Sequence, residues 1–347
     1  MGIAGTTAAV GGAAAAGYAG NNLTYARRDA ARANRAGFRD KRITLRTGTT
    51  FAYSEGPDSG PSLLLLHAQG SARQSYDRVL PALAEHFHVY AVDIAGHGDS
   101  DRTPGCYTVH QVGADIALFI ESVAEGPVIL SGHSSGGLVA AWVAAEEPHL
   151  VSAVLFEDTP FFSTEGERYA TQFNYIDLAV PAHDFLLQDV ETDFAGWYIA
   201  HNAWLGYFGR GRDGIVRYAR KRRTTRPDEP LRLWFLPPVT NESYAHMHAF
   251  DPAFADAFYE RTWLEGFDQA DALARITQPA TVVHANWRLT GAGILEGAMT
   301  NDDATRANDL ITNSTLERVH TGHGFHFEKP REYSRLLTDL ATRARRP

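Results

Sequence analysis

The chain has 347 residues, of which 44% are hydrophobic and 21% are charged, and its formal net charge is −9. This composition is typical of a globular protein, and the length suits one large α/β domain with an insertion or two separate domains. The negative charge argues against a nucleic-acid partner, and the single cysteine, Cys106, excludes an internal disulfide framework and a cysteine-based zinc site.

The first 20 residues are uncharged and rich in alanine and glycine, and a segment with five arginines follows between residues 27 and 39. A secretory signal would begin with basic residues, and a membrane-spanning helix would carry more large apolar side chains. We therefore predict that residues 1–40 form a loosely ordered or helical N-terminal arm. The alternatives are an atypical export signal and weak membrane association or a membrane anchor. The arginines favour a cytoplasmic location for the remaining chain.

From residue 41 onward, predicted strands and helices alternate. The predicted strands cover residues 42–46, 50–53, 62–66, 88–93, 128–131, 152–158, 280–284 and 315–319. The predicted helices cover residues 76–86, 108–124, 136–146, 302–312 and a segment that begins at about 330. This alternation implies right-handed crossovers, so we predict an α/β fold with a mostly parallel sheet of the eight-stranded type, flanked by helices.

The alternation stops between residues 160 and 275, where the chain is rich in aromatic residues and mostly helical in pattern. An insertion of this kind between two strands predicts a helical cap over the carboxyl edge of the sheet. The core domain would then consist of residues 41–159 and 276–347. A basic run at 217–223 either attracts an acidic substrate or forms a solvated helix face.

The stretch Gly132-His-Ser-Ser-Gly136 follows a buried apolar strand and precedes a helical pattern. A sharp strand–turn–helix unit needs small residues on both sides of the turn, and it exposes the central serine at the end of the strand. Chance matches to the five-residue pattern are common in a chain with 31 glycines. The flanking strand and helix nevertheless make Ser134 the candidate nucleophile.

A serine hydroxyl needs a base, and the candidate is His323, in a loop after the last predicted strand. Gly322 and Gly324 would allow the loop to bend and direct the imidazole inward. A set of surface histidines and a metal cluster of His320, His323 and His326 are the alternatives, although no carboxylate or cysteine pattern supports a metal. We expect His326 to brace the loop, with Glu328 as a candidate partner.

Developing negative charge on the substrate needs backbone N–H donors. The N–H of Ser135 is one candidate, because it follows the nucleophile at a helix N-terminus. The second candidate is Gln69, in the loop after strand 62–66, with the neighbouring Ala68 as the next choice and as a candidate substrate contact. The glycine-rich loop 93–100 resembles a phosphate-binding loop. Its glycines, however, do not precede a helix at the spacing that dinucleotide binding requires.

The segments HAQGS, DIAGHGDS, GHSSGG, LFEDTPFF and GHGFHFEKP together resemble the α/β-hydrolase superfamily over roughly residues 42–347. Further segments are similar to a bacterial subgroup of ester-cleaving hydrolases with a helical cap. The resemblance implies a Ser–His–acid esterase, lactonase or related hydrolase without a metal or other cofactor. The branches that place an aspartate at the elbow, namely dehalogenases and epoxide hydrolases, are disfavoured by Ser134.

The position of the acid departs from the usual pattern of this superfamily. The acid is expected in the loop after strand 280–284, but residues 290–292 are Thr, Gly and Ala. Glu296 is the nearest acid downstream, and the acids at 302–303 read better as the first turn of a helix.

The other known position is the end of the strand after the elbow helix, as in haloalkane dehalogenases and the zearalenone lactone hydrolase. The corresponding residue is Asp158, which we predict to orient His323. Glu157 is a weaker candidate, because consecutive residues of a strand point to opposite faces. Two further alternatives remain: Glu296 is the acid, or the protein has no working acid.

The sequence therefore predicts a serine hydrolase that cleaves a small carboxylic ester or lactone through an acyl-enzyme. Its apolar pocket would be lined by aromatic side chains of the cap region, Phe161, Phe162, Trp204 and Trp234. The alternative is a non-hydrolytic, ligand-binding member of the fold with an incomplete triad. The sequence does not define the oligomeric state.

Overall fold

The computed structural model describes residues 3–124 and 126–345, with side chains from residue 16 onward. The strands are β1 (Arg39–Thr44), β2 (Thr50–Glu55), β3 (Ser62–Leu66), β4 (His88–Val92), β5 (Val128–His133), β6 (Val151–Glu157), β7 (Ala280–His284), β8 (Arg288–Leu289), β9 (Leu295–Glu296) and β10 (Ser314–Arg318). The first residues of the predicted arm, on which its membrane association depends, lie outside the described side chains.

The helices flank the sheet or form the insertion between β6 and β7. They are α1 (Ile3–Arg35), α2 (Leu80–Leu83), α3 (Val109–Phe119), α4 (Ser135–Glu146), α5 (Val180–Leu186), α6 (Phe194–His201), α7 (Arg212–Thr225), α8 (Pro238–Ala245), α9 (Pro252–Tyr259), α10 (Gln269–Arg275), α11 (Asn301–Leu310), α12 (Phe325–Glu328) and α13 (Pro330–Ala344). Shorter 3-10 or π segments cover Arg73–Tyr76, Ile120–Ala124, Pro148–Leu150, Gly166–Thr171, Tyr175–Ala179, Trp204–Gly211 and Met247–Ala249.

Eight strands form one sheet in the order β1-β2-β4-β3-β5-β6-β7-β10. β2 pairs antiparallel with β1 and β4, and every other pairing in this sheet is parallel. The predicted α/β fold with a mostly parallel eight-stranded sheet is therefore confirmed. The strands β8 and β9 form a separate antiparallel pair.

The central strands β3, β5 and β6 are adjacent, and their residues are almost all buried. Continuous apolar runs such as Ser62–Leu66 suit this position, because helices cover both faces of a parallel sheet. Parallel strands end at the same edge, so the loops that follow these three strands meet there. Those loops carry Gln69, Ser134 and Asp158.

One predicted helix is much shorter than expected. In place of a helix over residues 76–86, the chain forms a 3-10 turn at Arg73–Tyr76 and the single-turn helix α2. The reason is Pro81, which lacks an N–H and whose ring clashes with the carbonyl four residues earlier, so a continuous helix cannot run through it.

The predicted N-terminal arm forms the long helix α1, and one face of its C-terminal half is buried. The buried residues recur at helical spacing and are Asn22, Tyr25, Asp29 and Ala33. Among the described residues, no helix has both the length and the apolar character needed to cross a bilayer.

Polar contacts hold α1 against two parts of the chain. The Asn22 side chain donates to the Trp234 carbonyl at 3.0 Å, and the Tyr25 hydroxyl donates to Glu242 on α8. Asp29 accepts from Arg78 of the core at 2.9 Å. The helix therefore bridges the insertion and the core.

The segment that corresponds to the predicted cap contains α5 to α10, and its basic run lies on α7. Arg223 of this run is buried and binds Asp193 with two nitrogens, Nε to Oδ2 at 3.0 Å and Nη2 to Oδ1 at 2.8 Å. Its Nη1 donates to the Glu229 carbonyl at 2.9 Å. At least this arginine serves to join segments of the insertion.

Candidate active site

Ser134 lies at the turn between β5 and α4, with φ 54° and ψ −120°. This backbone conformation is strained for a residue with a side chain, and it persists only where the surrounding structure holds it in place. A Cβ on Gly132 would lie 2.3 Å from the Gly136 carbonyl oxygen, and one on Gly136 would lie 2.5 Å from that of Leu66. Both positions therefore need glycine because the backbone approaches too closely for any side chain.

The end of β6 brings Asp158 beside this turn. The Ser134 N–H donates to the Glu157 carbonyl at 2.9 Å, and the Asp158 N–H donates to the Val283 carbonyl at 2.9 Å. Asp158 Oδ2 accepts from His323 Nδ1 at 2.7 Å. Since a carboxylate can only accept, this bond fixes the proton on Nδ1 and leaves Nε2 with a free lone pair.

The Asp158 carboxylate is buried, and donors surround it. Its Oδ1 accepts from the Ala285 N–H at 3.1 Å, and His284 Nδ1 lies 3.8 Å from the same oxygen. Burial alone would raise the pKa of Asp158, but His284, His323 and the Ala285 N–H together hold that pKa below its ordinary value. The carboxylate is therefore ionised at neutral pH.

The pKa of His323 shifts in the opposite direction. Burial lowers it, but the hydrogen bond and charge of Asp158 more than offset this effect, so the pKa of His323 is raised above the ordinary histidine value. Proton uptake by this imidazole is thus favoured by the carboxylate behind it.

A second histidine–carboxylate pair lies next to the first. Glu157 Oε1 accepts from both the backbone N–H and Nδ1 of His326, each at 2.8 Å, and both side chains are buried. The sequence led us to expect Glu328 as a partner of His326, but Glu328 instead accepts from the Gly322 N–H at 2.8 Å. The pairing follows from the position of Glu157 at the buried end of β6, where the His326 backbone and ring both reach its carboxylate.

His133 connects this loop to the turn. Its Nε2 donates to the His323 carbonyl at 2.8 Å, and its ring lies 4.6 Å from that of His323 between centroids. Burial lowers the pKa of His133 to about 3, although Glu157 acts in the opposite direction. A neutral His133 next to Ser134 therefore helps to hold the His323 backbone in place.

The loop after β3 carries the second candidate donor. The Gln69 N–H donates to the side-chain oxygen of Ser135 at 2.8 Å. Gln69 Oε1 accepts from Asn174 at 3.1 Å, while its Nε2 is buried with no acceptor in the described part of the chain. The Ser135 N–H is at the first residue of α4, where helix amides have no intrahelical acceptor.

Two buried histidines, His67 in this loop and His97 in the loop 93–100, connect the two loops. His67 Nε2 accepts from the Ile94 N–H at 3.0 Å, and His97 Nε2 accepts from the Gly70 N–H at 3.1 Å. Burial lowers the pKa of His67 to about 4 and also lowers that of His97, so both act as neutral acceptors. The glycine-rich loop 93–100 thus supports the Gln69 loop, a role that the sequence reading missed.

The remaining candidate acid lies elsewhere. Glu296, on β9, accepts from the Tyr207 hydroxyl at 2.5 Å and pairs with Arg288. Asp303 belongs to a capping box with Thr300 at the start of α11, as predicted for a helix first turn.

The residues predicted to line the pocket are spread over the insertion and its junction with the core. Phe161 and Phe162 are fully buried, and Phe161 packs edge-on against Phe156 at 5.2 Å. Trp204 packs against aromatic neighbours of the insertion, and Trp234 is 48% exposed beside α1. Ala68 is buried next to Gln69. Their contact with substrate stays a prediction.

Two groups of side chains place histidine and carboxylate atoms within 4.8 Å of one another in the described residues. One is His133 with the Glu157–His326 pair. The other is His183 with Asp256 and Glu260, where His183 Nδ1 lies 2.8 Å from Asp256 Oδ1. In the first group His326 is hydrogen-bonded to Glu157 and His133 to the His323 carbonyl, and in the second His183 is hydrogen-bonded to Asp256. That the site works without a metal stays a prediction.

Comparison with known proteins places this geometry in context. The protein-family model described as "alpha/beta hydrolase fold" matches residues 61–330. The chain is 34% identical over 144 residues to a 2-(acetamidomethylene)succinate hydrolase from Mesorhizobium japonicum, a match that covers 40% of this chain and 50% of that protein. The match therefore spans about half the length of this curated relative.

Two solved structures have a similar fold. A bacterial membrane phospholipase A is 18% identical with a TM-score of 0.62, and the match covers 100% of this chain and 98% of that one. An enol-lactonase from Burkholderia xenovorans LB400 is 17% identical with a TM-score of 0.60, and the match covers 87% and 100%. At these identities the likeness shows the fold alone.

Proposed function

Because the chain belongs to the α/β hydrolase family, we propose that it is a serine hydrolase that cleaves a carboxylic ester or a lactone through an acyl-enzyme. The observation that carries this proposal is the 2.7 Å contact between Asp158 Oδ2 and His323 Nδ1. Asp158 would thus serve as the acid of the triad, which the loop after β7 lacks at residues 290–292. It also favours hydrolysis over the non-hydrolytic alternative, which depended on an incomplete triad.

In the proposed mechanism Ser134 is the nucleophile and His323 is its base. Asp158 holds the Nδ1 proton, so Nε2 can take the serine proton as the hydroxyl oxygen attacks the acyl carbon. The same imidazole then protonates the leaving alcohol oxygen. In the second half of the reaction it activates the water that hydrolyses the acyl-enzyme. This chemistry requires no metal or cofactor.

The N–H groups of Ser135 and Gln69 are the proposed donors to the oxyanion. Such donors act on charge that develops only in the transition state, and loss of one typically costs about 10²–10³-fold in kcat. The buried Gln69 Nε2, which has no acceptor in the described residues, is a further donor on the same loop. These groups would donate to the carbonyl oxygen of a small ester or lactone.

The names of the relatives are compatible with this substrate class without defining it. The enol-lactonase supports a cyclic ester, and the phospholipase supports an acyl ester. We therefore propose small esters and lactones together and leave the choice to direct assay of 4-nitrophenyl acetate against dihydrocoumarin.

The decisive experiment is labelling with a fluorophosphonate probe, followed by mass spectrometry of the adduct. We expect a single adduct on Ser134 that is absent in Ser134→Ala and strongly reduced in His323→Ala. Ser163→Ala is the matched control, because this buried serine binds the Ala298 carbonyl at 2.5 Å and has no proposed role in catalysis. Folded protein that is not labelled, or is labelled at another serine, would contradict the proposal.

A further inference from the structure

A cavity of about 460 Å³ lies beside the junction of the insertion and the core. Its wall is built from the Gly166–Thr171 segment, the end of α9, residues 261–270 and Arg306 of α11. The residues that line it include none of the proposed catalytic or oxyanion residues. Its volume is in the range of sites for small organic ligands.

The wall contains a polar group that lacks a partner. Trp263 is 1% exposed, and its indole Nε1 is buried with no acceptor in the described residues. Its ring stacks on Phe258, another wall residue, with centroids 4.9 Å apart. Buried N–H groups without an acceptor are rare in folded proteins, because the lost interaction with water is not replaced. An acceptor supplied by a ligand would satisfy it.

A strained cationic residue also belongs to the wall. Arg261 follows the end of α9 with φ 63°, and its N–H donates to the Phe258 carbonyl at 3.2 Å. Glycine is the favoured residue at such a left-handed position after a helix, since a side chain is strained there. An arginine at this position therefore places a guanidinium at the cavity despite a conformational cost.

Two guanidinium groups of the wall are available to an anion. Neither Arg261 nor Arg306 forms an ion pair within the described residues, and Arg306 lies 3.8 Å over the Phe162 ring. The wall also carries two acidic residues, of which Asp268 is the N-cap of α10 and Glu165 interacts electrostatically with Arg306. Two guanidinium groups and the indole N–H are thus left as donors.

We propose that this cavity is a second ligand site, for an organic anion with an apolar body. The anionic group would accept from the Trp263 N–H and the Arg261 guanidinium. The apolar body would pack against the aromatic wall that Tyr169, Phe258 and Phe267 supply. This site is independent of the hydrolytic proposal, because it uses none of the same residues.

The test uses the fluorescent anion 1-anilinonaphthalene-8-sulfonate as the probe, with the full chain. We expect saturable binding, and displacement of the probe by 4-phenylbutyrate but not by its neutral amide. Arg261→Gly should weaken binding about tenfold while the thermal unfolding temperature holds or rises, because glycine relieves the strain. Trp263→Phe keeps an aromatic ring, removes the N–H and should weaken binding by a similar factor.

Arg331→Ala is the control, because it removes an exposed arginine of α13 outside the cavity. Equal binding by the native protein, Arg261→Gly and Trp263→Phe would overturn the proposal. So would displacement by the amide as effective as displacement by the carboxylate, or absence of saturable binding. Since Arg261→Gly is expected to be stable, weaker binding by this variant cannot be attributed to unfolding.

Discussion

The backbone N–H of Gln69 donates to the side-chain oxygen of Ser135, with 2.8 Å between nitrogen and oxygen. The amide proposed to stabilise the oxyanion therefore has an acceptor before any substrate arrives. The substrate oxygen must replace this hydroxyl as it becomes negative. In the free protein the Ser135 hydroxyl satisfies the Gln69 N–H, and in the transition state the same hydroxyl competes with the substrate oxygen for it.

Ser135→Ala should remove this competition. We expect kcat to rise by about fivefold, because a neutral hydrogen bond contributes about 1 kcal/mol. The Ser135 N–H is unchanged by the substitution, so both backbone donors remain. Steady-state kinetics on 4-nitrophenyl acetate measure the effect, and a fall in kcat at unchanged stability would show that the hydroxyl assists the reaction.

Asp158→Asn should lower kcat by about 10³–10⁴-fold, because asparagine does not hold the required imidazole tautomer or stabilise its charge. Glu296→Gln is the matched control, since it also converts a carboxylate to an amide but lies on β9 with Tyr207 and Arg288. Its kcat should stay within about twofold of the native value. The opposite ranking of the two variants would assign the acid to Glu296.

Glu157→Gln tests the second buried pair. The amide keeps the size of the side chain but removes the charge opposite His326, so we expect the free energy of unfolding to fall by about 2–3 kcal/mol. Because His326 lies three residues from His323, kcat should also fall, with little change in KM. Chemical denaturation and kinetics measured together separate the two effects, and a stable variant with full activity would remove Glu157 from the site.

The pH profile follows from the raised pKa of His323. The base works only when neutral, so kcat/KM should fall on acidification with a midpoint above the ordinary histidine value of about 6.5. In Asp158→Asn the residual activity should show a lower midpoint, since the carboxylate charge of Asp158 that raises the pKa of His323 is then lost. A midpoint that is the same in both proteins would contradict this coupling.

The raised pKa of His323 affects the stability of the fold in the opposite direction from its effect on activity. A histidine whose pKa is raised in the folded state contributes stability below its unfolded pKa, and this contribution is lost as pH rises through the folded value. Activity and this part of the stability should therefore change in opposite directions across that range. Thermal unfolding of the native protein and His323→Ala at several pH values gives the stability part.

Tyr25→Ala should release α1 from its contacts. Tyr25 is buried and its hydroxyl binds Glu242, so we expect trypsin to cut at the exposed Arg27 and Arg28 at least tenfold faster than in the native protein. Tyr18→Ala is the control, because Tyr18 is 49% exposed on the same helix. Equal cleavage rates for the two variants would mean that the buried face does not hold the helix.

The parts of the fold that could be predicted from sequence are those with a local physical cause. The glycines around Ser134 are required by backbone contact at the turn, so they mark it in the sequence. The preference for Asp158 over Glu157 also came from a local argument, and Asp158 Oδ2 lies 2.7 Å from His323 Nδ1. The continuous apolar runs predicted the buried parallel strands for the same reason.

What the sequence missed depends on contacts between distant segments. The pairing of His326 with Glu157, not Glu328, depends on how the last loop lies against β6. The support that His67 and His97 give to the Gln69 loop requires two loops to meet across the sheet edge. The sequence predicted a loosely ordered or helical arm but not its docking, because the partners of Asn22 and Tyr25 come from far along the chain.

The position of α1 also has a consequence for the order in which the protein is made and folded. Tyr25 packs against Phe327 with ring centroids 5.9 Å apart, and Arg78 lies over the same phenylalanine ring. During synthesis α1 leaves the ribosome long before Phe327, which forms part of its binding surface. The buried face of α1 therefore lacks part of its binding surface until residue 327 has been translated.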